Sequence, residues 1–125
     1  MADEQKNVWQ IIYTQLKEGG IEVYAPATKN GICKKPYVMF KKSGSTRILN
    51  YSSQRDYYDF YIYVPREKYD ILADYEAEVK QILDSPPLYP MIMPTGSTEN
   101  DYYDDNYNAH LRIITYYNNR RVKHL

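Results

Sequence analysis

A nine-residue segment rich in aromatic and β-branched residues, Asp56 to Val64 (DYYDFYIYV), constrains the fold of this chain more than any other feature. Residues of these types favour a pleated strand. Pro65 follows, and a proline cannot donate a backbone hydrogen bond to a neighbouring strand. The segment therefore predicts a strand that ends near Pro65 and lies at the centre of a sheet.

A helical pattern follows this strand at once. Between Arg66 and Leu83, apolar residues recur every three or four positions, and charged residues fill the other face. Ser85-Pro86-Pro87 ends the pattern, because proline lacks the N–H that would continue a helix and disfavours helical geometry in the residue before it. The sequence predicts one helix from Arg66 to Leu83.

The N-terminal half predicts a second helix and three further strands. An amphipathic pattern over 3–18, with Asp3 as its N-cap, stops at Gly19-Gly20. Beyond it, turn-forming residues separate short apolar runs. The predicted strands are Ile21 to Tyr24, Tyr37 to Phe40, and Thr46 to Tyr51, the last two joined by a hairpin turn at Ser43-Gly44-Ser45.

The C-terminal third predicts one more strand and completes the fold class. A Pro-rich connection runs from Leu88 to Pro94, a turn follows at Thr95-Gly96, a polar acidic loop spans Ser97 to Asn108, and the strand covers Ala109 to Tyr117. Helices and strands do not alternate as they do in a doubly wound parallel sheet. We therefore predict an α+β fold in a single domain, 1–125: one antiparallel or mixed sheet of about four to five strands, with two helices packed on one face.

The charge balance and the termini restrict the functional class. The 16 basic and 16 acidic residues cancel, so no overall field draws the chain to nucleic acid, an anionic membrane or a cationic substrate. The single cysteine, Cys33, cannot close an intrachain disulfide, which suits a reducing compartment. The N-terminus is polar, and no stretch approaches the roughly 20 apolar residues that span a bilayer. We expect synthesis in the cytoplasm, without a signal peptide or membrane span.

Patterns that indicate catalysis, cofactors or metals are sparse. The glycine-containing stretches lack the spacings of phosphate-binding loops, and His110, His124 and Cys33 are too far apart to predict a metal cluster. A Cys33–His110 nucleophile pair is an alternative to the commoner role of Cys33 as a structural thiol. We predict no enzyme activity and no catalytic, cofactor or metal site. A calcium site is the remaining alternative, although its acidic residues lack the glycine and final glutamate of an EF-hand loop: Glu99, Asp101, Asp104 and Asp105.

Tyrosine is the unusual feature of the composition, with 16 tyrosines against two phenylalanines and one tryptophan. A tyrosine combines a large apolar ring with a hydroxyl that tolerates water, which suits surfaces that a partner covers. The same ring also packs across half-buried sheets. The composition favours a protein that binds other proteins. A nucleic-acid-binding module is an alternative, because cations and aromatics interleave from Lys34 to Lys42 and a basic tail runs from Arg120 to His124.

The order of several short runs resembles a known family. The runs are Gly20 to Pro26 (GIEVYAP), Asn30 to Val38 (NGICKKPYV), Asp59 to Pro65 (DFYIYVP) with its following helix, Pro94-Thr95-Gly96, the acidic loop Tyr102 to Asp105, and Ala109 to Tyr116 (AHLRIITY). Together they cover nearly the whole chain. This order resembles the small tail-terminator, or tail-completion, proteins of long-tailed bacteriophages and related tail-like particles.

The resemblance implies a structural virion protein at the neck, at the top of the tail. Its subunits are expected to form a six-membered ring on the finished tail tube, to end tube polymerisation, and to offer the other face to the head-side connector. DNA would pass through the lumen only as cargo, and no membrane takes part. The family has no catalytic residues to transfer. A head-side connector or closure (stopper) protein of the same particle is the alternative.

The long loops, 25–36 and 96–108, are the natural contacts with neighbouring subunits. Tyr102, Tyr103 and Tyr107 lie in an acidic loop with no predicted core to join, so we expect them to meet a partner. By contrast, the tyrosines from Tyr57 to Tyr63 alternate along a strand. The predicted partner-contact residues are Tyr24, Lys29, Lys34, Lys35, Tyr102, Tyr103, Asp104, Asp105, Tyr107, Arg120 and Arg121.

Overall fold

One mixed sheet of six strands and two α-helices are present in the computed structural model, which describes residues 8–26, 28, 31–47, 53–98 and 101–121. In chain order the elements are α1 (Val8–Glu18), β1 (Val23–Tyr24), β2 (Tyr37–Arg47), β3 (Ser53–Pro65), a 3₁₀ helix (Arg66–Ile71), α2 (Leu72–Leu83), β4 (Met93–Thr98), β5 (Tyr102–Asp104) and β6 (Ala109–Arg121). The sheet order is β1-β2-β3-β6-β4, with β5 also paired to β6. The predicted α+β class is confirmed.

The sheet is larger than the four to five strands predicted. β4 lies where a Pro-rich connection and a turn were expected, and β5 lies inside the predicted acidic loop. Both strands pair antiparallel with β6, β5 at Ala109–Leu111 and β4 between Ile114 and Tyr117. Gly96, with φ of 84°, sits in an irregularity of the β4 pairing between Pro94 and Thr98. Thr95-Gly96 therefore forms a bulge in a strand and not the predicted turn, because the long edge of β6 gives these residues a pairing partner.

The predicted hairpin turn at Ser43-Gly44-Ser45 is wrong. β2 continues through these residues to Arg47 and pairs antiparallel with β3, with a register shift between Lys42 and Gly44. The predicted return strand fails with it, because Thr46 and Arg47 belong to β2 and 48–51 lie outside the described residues. A glycine between serines is compatible with a strand bulge as well as with a turn. Here the chain continues as a strand because β3 is long enough to pair with β2 beyond the glycine.

β3 is central, as predicted, and supplies the middle of the core. All 13 of its residues pair in register with β6, from Ser53 opposite Arg121 to Pro65 opposite Ala109. Phe60 stacks on Phe40 at 5.0 Å between ring centroids and meets Tyr116 edge-on at 5.7 Å. The main core cluster joins even-numbered residues of β3 to both helices: Tyr58, Phe60, Ile62 and Val64 with Ile12, Leu16, Leu72, Val79 and Leu83.

The helices follow the sequence pattern with one change. α1 ends as predicted at Gly20, whose φ is 89° and whose N–H donates to the Lys17 carbonyl at 3.1 Å; Asp3 and 3–7 lie outside the described residues. The helix predicted from Arg66 to Leu83 is instead a 3₁₀ helix, with non-helical backbone at Lys68 within it, followed by α2. No residue of the 3₁₀ helix is buried, so core packing does not impose α-helical geometry there.

Candidate interaction surface

The side of the sheet opposite the main core carries two groups of tyrosine and aliphatic side chains, which are separated by a polar row of Lys41, Asp59 and Thr115. Successive residues of a strand point to opposite faces, so odd-numbered residues of β3 lie opposite Phe60 and its neighbours. Met39, Tyr61 and Ile113 are in register across β2, β3 and β6, and Tyr57 is paired with Tyr117. All five side chains are half-buried. We call this set, Met39, Tyr57, Tyr61, Ile113 and Tyr117, the outer sheet face.

Two cations lie over tyrosine rings of the outer sheet face. The guanidinium carbon of Arg55 is 4.1 Å from the ring centroid of Tyr117, and its Nε donates to Oδ1 of Asn119 at 3.0 Å. The Nζ of Lys41 is 5.8 Å from the ring centroid of Tyr61. Cations at these separations are attracted to the negative faces of the rings. The surface therefore combines apolar area with positive charge.

At one end of this face, a second core cluster contains Cys33, Tyr37, Tyr63, Ala109 and Leu111. Tyr37 stacks on Tyr63 at 4.9 Å. Burial, helped by the nearby Cys33 thiol, raises the pKa of Tyr37 well above its usual range. Burial likewise raises the pKa of Tyr63 to about 12. These hydroxyls stay protonated at neutral pH and serve as structure.

Tyr107 is partly buried and packs against this second cluster, which corrects the expectation that it has no core to join. Its ring meets Tyr63 edge-on at 5.8 Å, and its carbonyl accepts the backbone N–H of Cys33 at 2.8 Å. The 31–36 segment and the turn before β6, remote in sequence, are thereby tied together. Sequence reasoning missed this contact because no local pattern pairs residues so far apart.

Three of the predicted contact residues meet at one pocket. Tyr24, Lys34 and Lys35 line a cavity of about 330 Å³ together with Glu22, Gly31, Ile32 and Tyr37. The Tyr24 hydroxyl donates to Glu22 Oε2 at 2.6 Å, and this hydrogen bond raises the Tyr24 pKa. Lys35 Nζ lies 3.8 Å from Glu22 Oε1. The pocket wall is therefore a small polar network beside an exposed Ile32.

The predicted tyrosine-acid loop presents its side chains from a strand. Tyr102 and Tyr103, in β5, are 46% and 42% exposed. The Tyr103 hydroxyl donates to Oδ1 of Asn108 at 3.0 Å. Asp104 accepts the backbone N–H of Asn106, and the neighbouring Asp105 is exposed. The expectation that Tyr102 and Tyr103 meet a partner stays a prediction, and both are accessible for one.

Arg112, which sequence reasoning did not single out, holds β5 and α2 to the sheet. Its Nε and Nη2 donate to the two carboxylate oxygens of Asp101 at 2.6 and 2.8 Å, and its Nη1 donates to Glu76 Oε1 at 2.6 Å. Tyr69 also donates to Asp101. The hydrogen bond from Arg112 is the largest cause that lowers the Asp101 pKa, to about 2. The only sign of this role in the sequence is that Arg112, a cation, stands within a strand pattern of alternating residues.

The remaining predicted contacts are separated from this end of the molecule. Arg120 donates to Oδ2 of the buried Asp56 at 2.7 Å, and Ser45 donates to the other oxygen. Burial raises the Asp56 pKa, but these hydrogen bonds outweigh it, and the net shift is downward. Arg121 ends β6, while Lys29 lies outside the described residues. The predicted residues therefore do not form one site.

The alternative catalytic pair is also not assembled. The Cys33 thiol is buried in the second cluster and donates to the Lys35 carbonyl. His110 lies instead between the rings of Tyr69 and Tyr103, at 4.7 and 5.1 Å. Because His110 is in register with Val64 of the main core face, the two groups lie on opposite sides of the sheet.

Neither a metal-binding group nor a membrane-spanning helix occurs in the part of the chain that the structure describes. No three His, Cys, Asp or Glu side chains there are grouped to hold a metal ion. No helix of those residues is long and apolar enough to cross a membrane. No family model matches the chain, and no curated protein matches it.

Proposed function

We propose that this chain is a structural assembly protein, not an enzyme, which binds other protein subunits through its outer sheet face. As a tail-terminator-like subunit of a virion neck, it would form a ring on the tail tube, end tube growth and join the tail to the head-side connector. The similarity of its sequence runs to that family supports the role.

The observation that carries the proposal is the tyrosine-rich make-up of the outer sheet face. Met39, Tyr61 and Ile113 form one row across β2, β3 and β6, and the Tyr57–Tyr117 pair forms another, with Asp59 and Thr115 between them. Aromatic rings beside polar and charged groups are typical of the surfaces that proteins use to bind one another. Tyrosines in such patches often supply a large share of the binding free energy.

The proposal includes a two-layer arrangement in which both helices cover the face opposite the outer sheet face. Ile12 of α1 and Val79 of α2 share the main core cluster with Phe60, which supports this arrangement. A sheet covered by helices on one side can present its other side to a partner without exposing the core.

The test replaces Tyr57 and Tyr117 together by serine and measures assembly. The double variant is expected to keep the circular dichroism of the parent but to form rings and bind isolated tail tubes at least ~30-fold more weakly, since a central interface tyrosine contributes about 2 kcal/mol or more. The matched control is Tyr89→Ser, which removes a 42% exposed tyrosine in the turn before β4. Ring formation is measured by sedimentation velocity and tube binding by co-sedimentation.

Several outcomes would change the assignment. A parent chain that neither forms rings at high concentration nor binds tail tubes contradicts the proposal. Binding to filled heads instead of isolated tails would assign the chain to the head-side connector. Salt-sensitive binding to single-stranded DNA through the same tyrosines would indicate a nucleic-acid-binding module.

A further inference from the structure

Although the net charge of this chain is zero, two of its surfaces carry charges of opposite sign. One is the outer sheet face, where Arg55 and Lys41 lie over tyrosine rings. The carboxylate on the same side, Asp59, accepts a hydrogen bond from Thr115 at 2.8 Å. Lys41 is exposed and is paired with Asp59 across β2 and β3. A partner for this face therefore needs to present negative charge beside a flat apolar area.

The second surface is the exposed face of α2. Leu72, Val79 and Leu83 are buried in the main core, so the opposite side of the helix points away from the sheet. That side carries Ala73, Asp74, Ala77, Glu78 and Gln81, all exposed. The two alanines are four residues apart and lie on one strip of the helix, and Asp74 and Glu78 lie on the next. The 3₁₀ helix adds no net charge to this surface, because its exposed Glu67 and Asp70 are balanced by exposed Arg66 and Lys68.

From this complementarity we propose that the exposed face of α2 in one copy docks on the outer sheet face of the next copy. The inference rests on the proposed function and names the contact between its subunits. Asp74 and Glu78 would meet Arg55 and Lys41, and the small alanines would allow the helix to approach the tyrosine rings closely. Opposite potentials across an interface favour encounter and exclude other registers.

The placement of the two surfaces determines the kind of assembly. The outer sheet face carries odd-numbered residues of β3, whereas α2 packs with the even-numbered ones. The two surfaces therefore lie on opposite sides of the molecule and are different from each other. A contact between unlike surfaces is heterologous and repeats head to tail, so it closes into a ring when the rotation between subunits permits. An isologous dimer would instead use the same surface twice.

Disulfide cross-linking of the full-length chain tests this topology. Thr115→Cys places a thiol on the same side of the sheet as the outer sheet face, between the Tyr61 and Tyr57 rows, and Ala77→Cys places one on the exposed face of α2. The native Cys33 is only 3% exposed and stays in place. Oxidation of the double-cysteine chain, both in concentrated solution and on tail tubes, is expected to give a ladder of covalent oligomers. Each single-cysteine chain is expected to give no ladder.

A charge exchange tests the same contact independently. Arg55→Glu and Asp74→Arg are each expected to weaken assembly about tenfold, and the chain carrying both is expected to recover it, since desolvated charge pairs contribute strongly across interfaces. Glu18→Arg, an exposed reversal on α1, is the matched control.

Dimers from a single-cysteine chain, or no recovery on charge exchange while rings still form, would overturn this contact and leave the proposed function standing. A parent chain that stays monomeric in both settings would overturn both.

Discussion

Replacing Arg112 by leucine should destabilise the fold, because two carboxylates, Glu76 and Asp101, would lose the guanidinium that donates to them. Glu76 is 9% exposed and would keep only Lys80, 3.1 Å away, while Asp101 would keep only the Tyr69 hydroxyl. Breaking a buried ion pair by removing one partner costs about 3–5 kcal/mol. Because the Arg112 and Asp101 side chains retain 21% and 23% exposure, we expect a loss of about 2–3 kcal/mol.

The measurement is equilibrium urea unfolding followed by the fluorescence of Trp9, the only tryptophan. Trp9 stacks on Phe40 at 4.7 Å, so its emission reports the main core. For an m-value of about 2 kcal/mol per molar urea, the midpoint should fall by about 1 M. Arg66→Leu, which removes an exposed cation on the neighbouring 3₁₀ helix, should change stability by less than about 0.5 kcal/mol.

The pH dependence of stability gives a second readout with a defined sign. The Asp101 pKa is about 2 in the folded protein against an ordinary 3.8, so the folded state favours the ionised carboxylate. That contribution, about 2 kcal/mol, is present above pH 4 and disappears as the pH falls toward 2. The Arg112→Leu variant should lose most of this acid-sensitive contribution to stability. It should keep the separate contribution of Asp56, whose pKa is also lowered in the folded protein. Unchanged stability, or an acid limb identical to that of the parent, would refute the role of Arg112.

Two further changes test the core and the end of α1. Phe60→Ala should lower the free energy of unfolding by about 3–5 kcal/mol, because it opens a cavity between Phe40 and Tyr116; a loss below ~1 kcal/mol in urea denaturation would contradict that packing. Gly20→Ala should cost about 1 kcal/mol, because Gly20 has φ of 89°. Gly44→Ala, at a site with ordinary φ and open space for a methyl group, should be nearly neutral, and equal losses at the two glycines would contradict the conformational argument.

The sequence alone determined the features that depend on neighbouring residues. The strand at 56–64 and its central place, the end of α1 at Gly20 and the α+β class all followed from local propensity and periodicity. The alternation of the tyrosines in β3 also followed, since side-chain direction in a strand has a period of two. The tyrosine-rich composition suggested protein binding, but no residue of the outer sheet face was among the predicted contacts.

Tertiary structure decided everything that depends on residues distant in the chain. β2 runs through its glycine because β3 pairs with it, and β4 and β5 exist because the long β6 offers an edge. Tyr107 is packed because Tyr63 and Cys33 lie beside it, and Arg112 bridges carboxylates that are 11 and 36 positions away. Which tyrosines are covered and which stay accessible is set by these pairings, because local sequence fixes a strand's two faces but not what covers them.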